Sequence, residues 1–184
     1  MTLKIGWATY EATKYACTHW HYSKCVPVGK MIKIGAWEDG RFIGVVVFSR
    51  GANKHIGMPY NLDQTECCEL TRVAMRKHKC FVSQVLAEAI KFLKKKCPKM
   101  KLIISYADIE QGHNGGIYQA TNWVYEGKTE KARYFIINGN KTHPKSLHSL
   151  YNKKYSDFSQ TIEWIKKHID KNASVYYDKG KHKY

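Results

Sequence analysis

Arg72 lies in the stretch Cys67 to Met75, where simple alternation puts it on one strand face with Cys68, Leu70 and Ala74. A guanidinium on so apolar a face is costly unless something pairs with it. One reading is a core arginine paired with Glu66, Glu69 or Asp108; the other is a clamp whose planar fork grips a carboxyl, phosphate or acyl oxygen. A second polar group closes another apolar stretch. In Ser105-Tyr106-Ala107-Asp108, Tyr106 and Asp108 share a face, Ser105 takes the other, and the run enters the loop Glu110-Gln111-Gly112-His113-Asn114-Gly115-Gly116. Open α/β sheets bind ligands at the carboxyl ends of their strands. Asp108 either serves chemistry there or caps the loop that follows. Gly115 and Gly116 would let backbone N–H groups approach an anion. The segment His21-Tyr22-Ser23-Lys24-Cys25 breaks a helical pattern and carries more chemistry than a connector needs.

The six cysteines include no C-x-x-C pair, so zinc of ordinary spacing and a disulfide framework are not indicated, and reduced thiols are expected. The adjacent Cys67 and Cys68 read as strand packing. His19, His21, Asp108 and His113 hold the residue types of an iron-binding set of two histidines and a carboxylate, but their spacing gives that no support. No metal site is assigned.

These groups need elements to position them. Residues 8–20 carry apolar residues at helical spacing, with His19 on the stripe as a core histidine. Strands are expected over Ile32 to Glu38 and Arg41 to Ser49, joined at the hairpin dipeptide Asp39-Gly40. After a long Gly/Asn/Pro-rich loop over 50–65 comes the Cys67 to Met75 strand, then a helix over 82–96 stopped by Pro98. Leu102 to Ala107 is a strand, Ile117 to Thr121 a short helix, and Trp123 to Gly127 and Arg133 to Asn138 two closing strands. Past His143-Pro144 only one amphipathic helix, Ser159 to Asp170, is legible.

The 184 residues carry 31 Lys and Arg against 15 Asp and Glu, a net charge of +16. Such an excess points to a polyanionic partner. Half of it falls in residues 128–184, where 13 basic residues against 5 acidic ones interleave with tyrosines and Trp164, as in surfaces that neutralise phosphates and stack on bases. No apolar run approaches membrane-spanning length and no signal-peptide core opens the chain, so a cytoplasmic protein without membrane contact is expected.

The element order, with Glu69-Leu70-Thr71-Arg72-Val73-Ala74 before the long helix and Gly116 to Gly127 after Asp108, resembles the GNAT acyltransferase fold. That implies a mixed α/β (α+β) domain over residues 1–140, with a central sheet of about six or seven strands flanked by helices. Residues 141–184 would form a basic, aromatic-containing helical extension. A closer resemblance is to the Mom family of phage DNA modification proteins. It rests on His21-Tyr22-Ser23 with Val26-Pro27-Val28-Gly29, on Phe48-Ser49-Arg50-Gly51-Ala52, on Glu69-Leu70-Thr71-Arg72, and on Ser105-Tyr106-Ala107-Asp108 with Gly115-Gly116-Ile117-Tyr118.

This resemblance implies an enzyme of the host bacterial cytoplasm that converts DNA adenine to its N6-carbamoylmethyl form, shielding phage DNA from restriction. Arg72, Asp108, Tyr118, Ser105 and Tyr106 would carry the chemistry. Asp108 would orient or deprotonate the poorly nucleophilic adenine amine, and Tyr118 would protonate the leaving group. His21, Tyr22 and Ser23 would contact a base taken out of the duplex. Gly115, Gly116 and Ser83 would line the substrate. The segment Arg76 to Ser83 departs from the GNAT pattern, because it lacks the glycines that let a backbone cradle the pyrophosphate of coenzyme A. The donor is therefore either acetyl-CoA or an aminoacyl-tRNA such as glycyl-tRNA, with DNA as partner, tRNA as a second one, and a homodimer left open. An ordinary acetyl-CoA-dependent N-acetyltransferase acting on a protein or small amine is the alternative, and a non-catalytic nucleic-acid binder a third.

Overall fold

The computed structural model describes residues 2–51 and 55–184. Ala52, the last residue of the Phe48 to Ala52 motif, lies outside the described residues. Two compact units are present: Met1–Ala107 with Gly115–Gly127 and Lys183–Tyr184, and Asp108–Asn114 with Lys128–His182.

In chain order the elements are β1 (Leu3–Trp7), α1 (Tyr10–Trp20), β2 (Met31–Glu38), β3 (Arg41–Ser49), β4 (Cys67–Met75), α2 (Val82–Lys96), β5 (Leu102–Asp108), α3 (Gly116–Gln119) and β6 (Gly127–Lys128). They continue with β7 (Arg133–Ile137), β8 (Asn140–Thr142), α4 (Pro144–Tyr151), α5 (Ile162–His168), β9 (Ser174–Tyr177) and β10 (Lys181–Lys183). A seven-stranded mixed sheet has the order β1-β2-β3-β4-β5-β10-β6, and a three-stranded one the order β8-β7-β9. β1 to β4 run antiparallel and β4 pairs parallel with β5. This is the mixed α/β fold, with the strand and helix order that the GNAT resemblance implies.

Local chemistry explains most boundaries. The Thr9 hydroxyl accepts from the Ala12 N–H at 3.1 Å and starts α1. Asp39 and Gly40 both have positive φ, 48° and 81°, which turns β2 into β3. α2 buries Val85, Leu86, Ala89 and Leu93 completely, and Lys94, Lys95 and Lys96 sit in its last turn, where cations complement the helix dipole.

The face assignment of β4 differs from simple alternation. Phe48 pairs with Leu70, but its neighbour Val47 pairs with Arg72, so Thr71 is an extra residue on β4 and forms a bulge. Before it, Cys68 and Leu70 pack in the cluster that includes Leu86 of α2; after it, Val73 does so, while Ala74 joins Ala16 and Cys17 of α1. The bulge therefore turns Arg72 to the face opposite Leu70. Beside it, the β4–β5 register covers only Cys67 to Leu70 against Leu102 to Ser105. Beyond that point the two strands no longer pair.

Between residues 123 and 127 the expected strand shrinks to β6. Asn122 takes a left-handed φ of 57°, and Trp123 packs edge-on against Tyr118 instead of extending. In the second unit, α4, β8 and β9 span 8, 3 and 4 residues, too short for a period to stand out in sequence. Its core is Phe135, Ile137, Leu147, Trp164, Ile165 and Ala173. Among the described residues no helix is long and apolar enough to cross a membrane.

Candidate functional site

Arg72 projects just past the bulge, where β4 and β5 part. Its Nη1 donates to the Thr71 carbonyl at 2.7 Å, while Nε lies 3.5 Å from the Cys25 carbonyl and Nη2 3.6 Å from the Cys25 thiol. None of these partners is charged. The paired-core reading with Glu66, Glu69 or Asp108 does not hold, because among the described residues Arg72 forms no ion pair. Glu66 is taken by Lys101 at 2.5 Å. Burial pushes the Cys17 thiol up, and the Arg72 guanidinium works against that rise. A half-buried guanidinium with neutral partners has N–H groups to spare for an acyl, carboxyl or phosphate oxygen.

The contacts with Cys25 tie Arg72 to the loop after α1. There His21 is buried, its Nδ1 accepting from the Ser23 N–H at 3.1 Å and lying 2.8 Å from the Ser23 hydroxyl. Tyr22 rests against the His21 ring, centroids 4.2 Å apart, with its own ring half exposed. Three predicted residues and Arg72 are thus joined through one short loop.

On β5, alternation sends Tyr106 and Ser105 to opposite faces. Tyr106 packs with Ile56, Cys67, Ile104 and Tyr60. Close by is a set of side chains absent from the sequence-based candidates. The Tyr60 hydroxyl donates to Glu126, and Lys183 reaches both, 2.9 Å from the Tyr60 oxygen and 2.8 Å from the Glu126 carboxylate. Burial works to lower the Lys183 ammonium, but the bonds to Glu126 and Tyr60 outweigh it and raise it overall. Burial also raises the Tyr106 phenol, with Lys183 opposing. Residues 60, 126 and 183 are too far apart in sequence for any local pattern to link them.

On the other face, the Ser105 hydroxyl lies 3.0 Å from the Leu70 carbonyl and 2.8 Å from the Tyr118 oxygen. One proton cannot serve both; with it on Leu70, Ser105 accepts from the Tyr118 phenol. Tyr118 is buried, stacked on Tyr184 at 4.8 Å, and burial raises its pKa while the Ser105 bond opposes. It stays a neutral proton donor at neutral pH. Gly115 has φ +82°, and a Cβ there would clash with the Tyr184 hydroxyl, so this glycine makes room for the Tyr184 ring. Its carbonyl accepts from the Tyr118 and Gln119 N–H groups, and Gly116 opens α3.

Ser83 is the second residue of α2. Just before that helix, where the GNAT resemblance implies a pyrophosphate cradle, two of the amides are already engaged. The Glu38 carboxylate accepts from Lys79 N at 3.1 Å and Cys80 N at 2.7 Å. Those hydrogen bonds, the Cys80 one foremost, hold its carboxyl below the usual range. With no glycine in the segment and the Glu38 carboxylate on the Lys79 and Cys80 amides, those two N–H groups are not available to the pyrophosphate of coenzyme A.

In the second unit, Asp108 Oδ1 accepts from the Glu110 N–H at 3.0 Å, so it caps the 3-10 turn that follows β5. Glu110 in turn takes the Lys141 ammonium and the Tyr176 hydroxyl, with Lys141 over the Tyr134 and Tyr176 rings at 4.2 and 4.6 Å.

A model of the Mom protein family matches residues 2–184. The chain belongs to the Mom protein family. No curated protein matches it in sequence. Among solved structures it is similar to an aminoglycoside 6'-acetyltransferase type Ii, at 13% identity over 76% of this chain and 90% of that one, with a TM-score of 0.40. In this Mom-family chain no three His, Cys, Asp or Glu residues gather as metal ligands among the described residues. His19 lies 2.9 Å from the Tyr15 carbonyl and stacks on the Tyr15 ring, occupations of its own helix.

Proposed function

We propose that this protein is a DNA-modifying transferase that converts adenine to N6-carbamoylmethyl adenine and so protects phage DNA from host restriction in the bacterial cytoplasm. The observation that carries the reading is the Arg72 guanidinium, turned by the bulge to the edge of the β4–β5 split with only neutral partners among the described residues. Arg72 grips the oxygen of the donor's acyl group, where charge grows as the bond to the adenine nitrogen forms. Tyr22 stacks on the extruded base while His21 and Ser23 hold the loop. Ser105 and Tyr118 form a proton-carrying pair, and Tyr106 lines the face that Arg72 shares. Gly115, Gly116 and Ser83 keep the roles that the family resemblance implies, while Asp108 caps the turn after β5.

The donor is an aminoacyl ester, glycyl-tRNA in the simplest case, rather than acetyl-CoA. Two points support it: Glu38 already holds two amides of the segment that a pyrophosphate would use, and a glycyl group contains the same atoms as a carbamoylmethyl group. Attack of N6 on the glycyl ester carbon releases the tRNA hydroxyl and gives an N6-glycyl amide; the glycyl amine then adds at adenine C6 and displaces the original nitrogen as the carboxamide, a redox-neutral isomerisation to the N6-carbamoylmethyl product. The basic residues of 128–184 hold nucleic acid by phosphate contact.

Mass spectrometry of nucleosides from DNA of cells expressing the protein tests this. A modified adenosine is expected, and Arg72→Ala should remove it by at least about 100-fold, the scale of losing an oxyanion donor. Unmodified adenine, together with tight acetyl-CoA binding by the purified protein, would turn the assignment to an ordinary N-acetyltransferase.

A further inference from the structure

The Phe48 to Ala52 motif has no role in the mechanism above, yet Phe48, Ser49 and Arg50 line a cavity of about 230 Å3 at the start of β4. Phe48 and Cys68 form a buried apolar floor, and the Met31 and Met100 side chains line it too. Lys30, Arg50 and Gln64 supply the polar part, and the lining contains no carboxylate. Among the described residues these three side chains have no hydrogen bond or ion pair. Asp63, Glu66 and Glu69 adjoin lining residues in sequence without themselves lining the cavity, and Glu66 is held by Lys101. Two cations beside an apolar cavity, left without a protein carboxylate, suit a ligand with a negative charge and a flat apolar body. The volume is below the roughly 300 Å3 of sites that enclose a whole small molecule, so one ring enters while its charged substituent stays at the mouth.

We propose that this cavity binds a nucleoside phosphate, its base against the Met31 and Met100 thioethers, its edge read by the Gln64 amide and its phosphate held by Lys30 and Arg50. The ligand is a nucleotide of the DNA strand itself; on this point the inference rests on the proposed function. The cavity then acts as a second anchor on the strand, separate from Arg72.

Methyl NMR of the full chain labelled at its methionines reads this directly, because Met31 and Met100 line the cavity while Met58 and Met75 do not. Titration with dAMP should shift the Met31 and Met100 methyls saturably, assigned through Met31→Leu and Met100→Leu. Arg50→Ala should weaken the effect about tenfold or more, and Lys94→Ala, on the surface of α2, should not. Deoxyadenosine without phosphate should bind much more weakly. A single-stranded deoxyoligonucleotide should shift the same methyls at lower concentration than dAMP; tighter binding of dAMP would overturn the strand as the source. Unshifted Met31 and Met100 methyls, or shifts unchanged in Arg50→Ala, would overturn the site. If adenine modification persists while the methyls stay still, only this inference fails. If the methyls shift and no adenine is modified, only the functional reading fails.

Discussion

Arg72 and Lys183 are two cations of the same unit, and the fold treats them in opposite ways. Lys183 is given a carboxylate, Glu126, and a phenol, Tyr60, within 2.9 Å. The second unit repeats the arrangement with Lys141, Glu110 and Tyr176. Arg72 receives a carbonyl from its neighbour and a weak approach to Cys25, and no opposite charge among the described residues. A cation whose task is structural gains from being neutralised where it sits. One that must bind a charged or polarised ligand keeps its capacity only if the protein does not fill it. The difference separates a framework charge from a working one.

The most severe way to break this comparison is to change the shape of the Arg72 charge without removing it. Arg72→Lys keeps the charge but loses the fork, and adenine modification should fall by about 10- to 100-fold with the thermal midpoint nearly unchanged. A large drop in stability with modification intact would make Arg72 a framework charge after all. Lys183→Met should do the reverse. It strips a charge-assisted bond from Glu126 and should lower stability by about 2 kcal/mol in urea unfolding. Stability within experimental error of the parent would remove the contrast.

The smallest effect is in pH. The Glu126 carboxyl is held below its usual value of 4.5, first by Lys183 and then by Tyr60. A depressed folded value contributes stability that is present above the unfolded value and lost as acid takes the pH down through the folded one. Urea midpoints should therefore be flat above about pH 5 and fall below 4.5, with a shallower fall in Glu126→Gln. An identical acid limb in the variant would show that Glu126 is not the group being titrated.

The elements that carry these residues were largely legible. α2 covers residues 82–96 as its apolar stripe predicts, and β3 and β4 have the expected bounds. The Asp39-Gly40 turn has the positive φ values that its residue types prefer. The site was legible by residue and less so by geometry. Arg72 stands out in the sequence, but simple alternation puts it on a face shared with Leu70 that the Thr71 bulge abolishes. Tyr118 and Ser105 stand 13 positions apart with no local pattern to link them, and the structure joins them at 2.8 Å. Nothing local marks Lys183, Tyr60, Glu126 or Glu38, since each looks like an ordinary polar residue in its own segment.

What the sequence determined by itself is what neighbours along the chain decide. Helix stripes, the turn dipeptide and the basic excess all depend on residues a few positions apart, and so does the family-like motif at Arg72. The tertiary structure alone decided which way Arg72 points, which carboxylate occupies the amides before α2, and which lysine receives a partner. Those outcomes join residues separated by 41 positions for Glu38 and Lys79 and by 123 for Tyr60 and Lys183. At such separations only the packing of the sheet sets the distance, and one extra residue in β4 is enough to reverse a face.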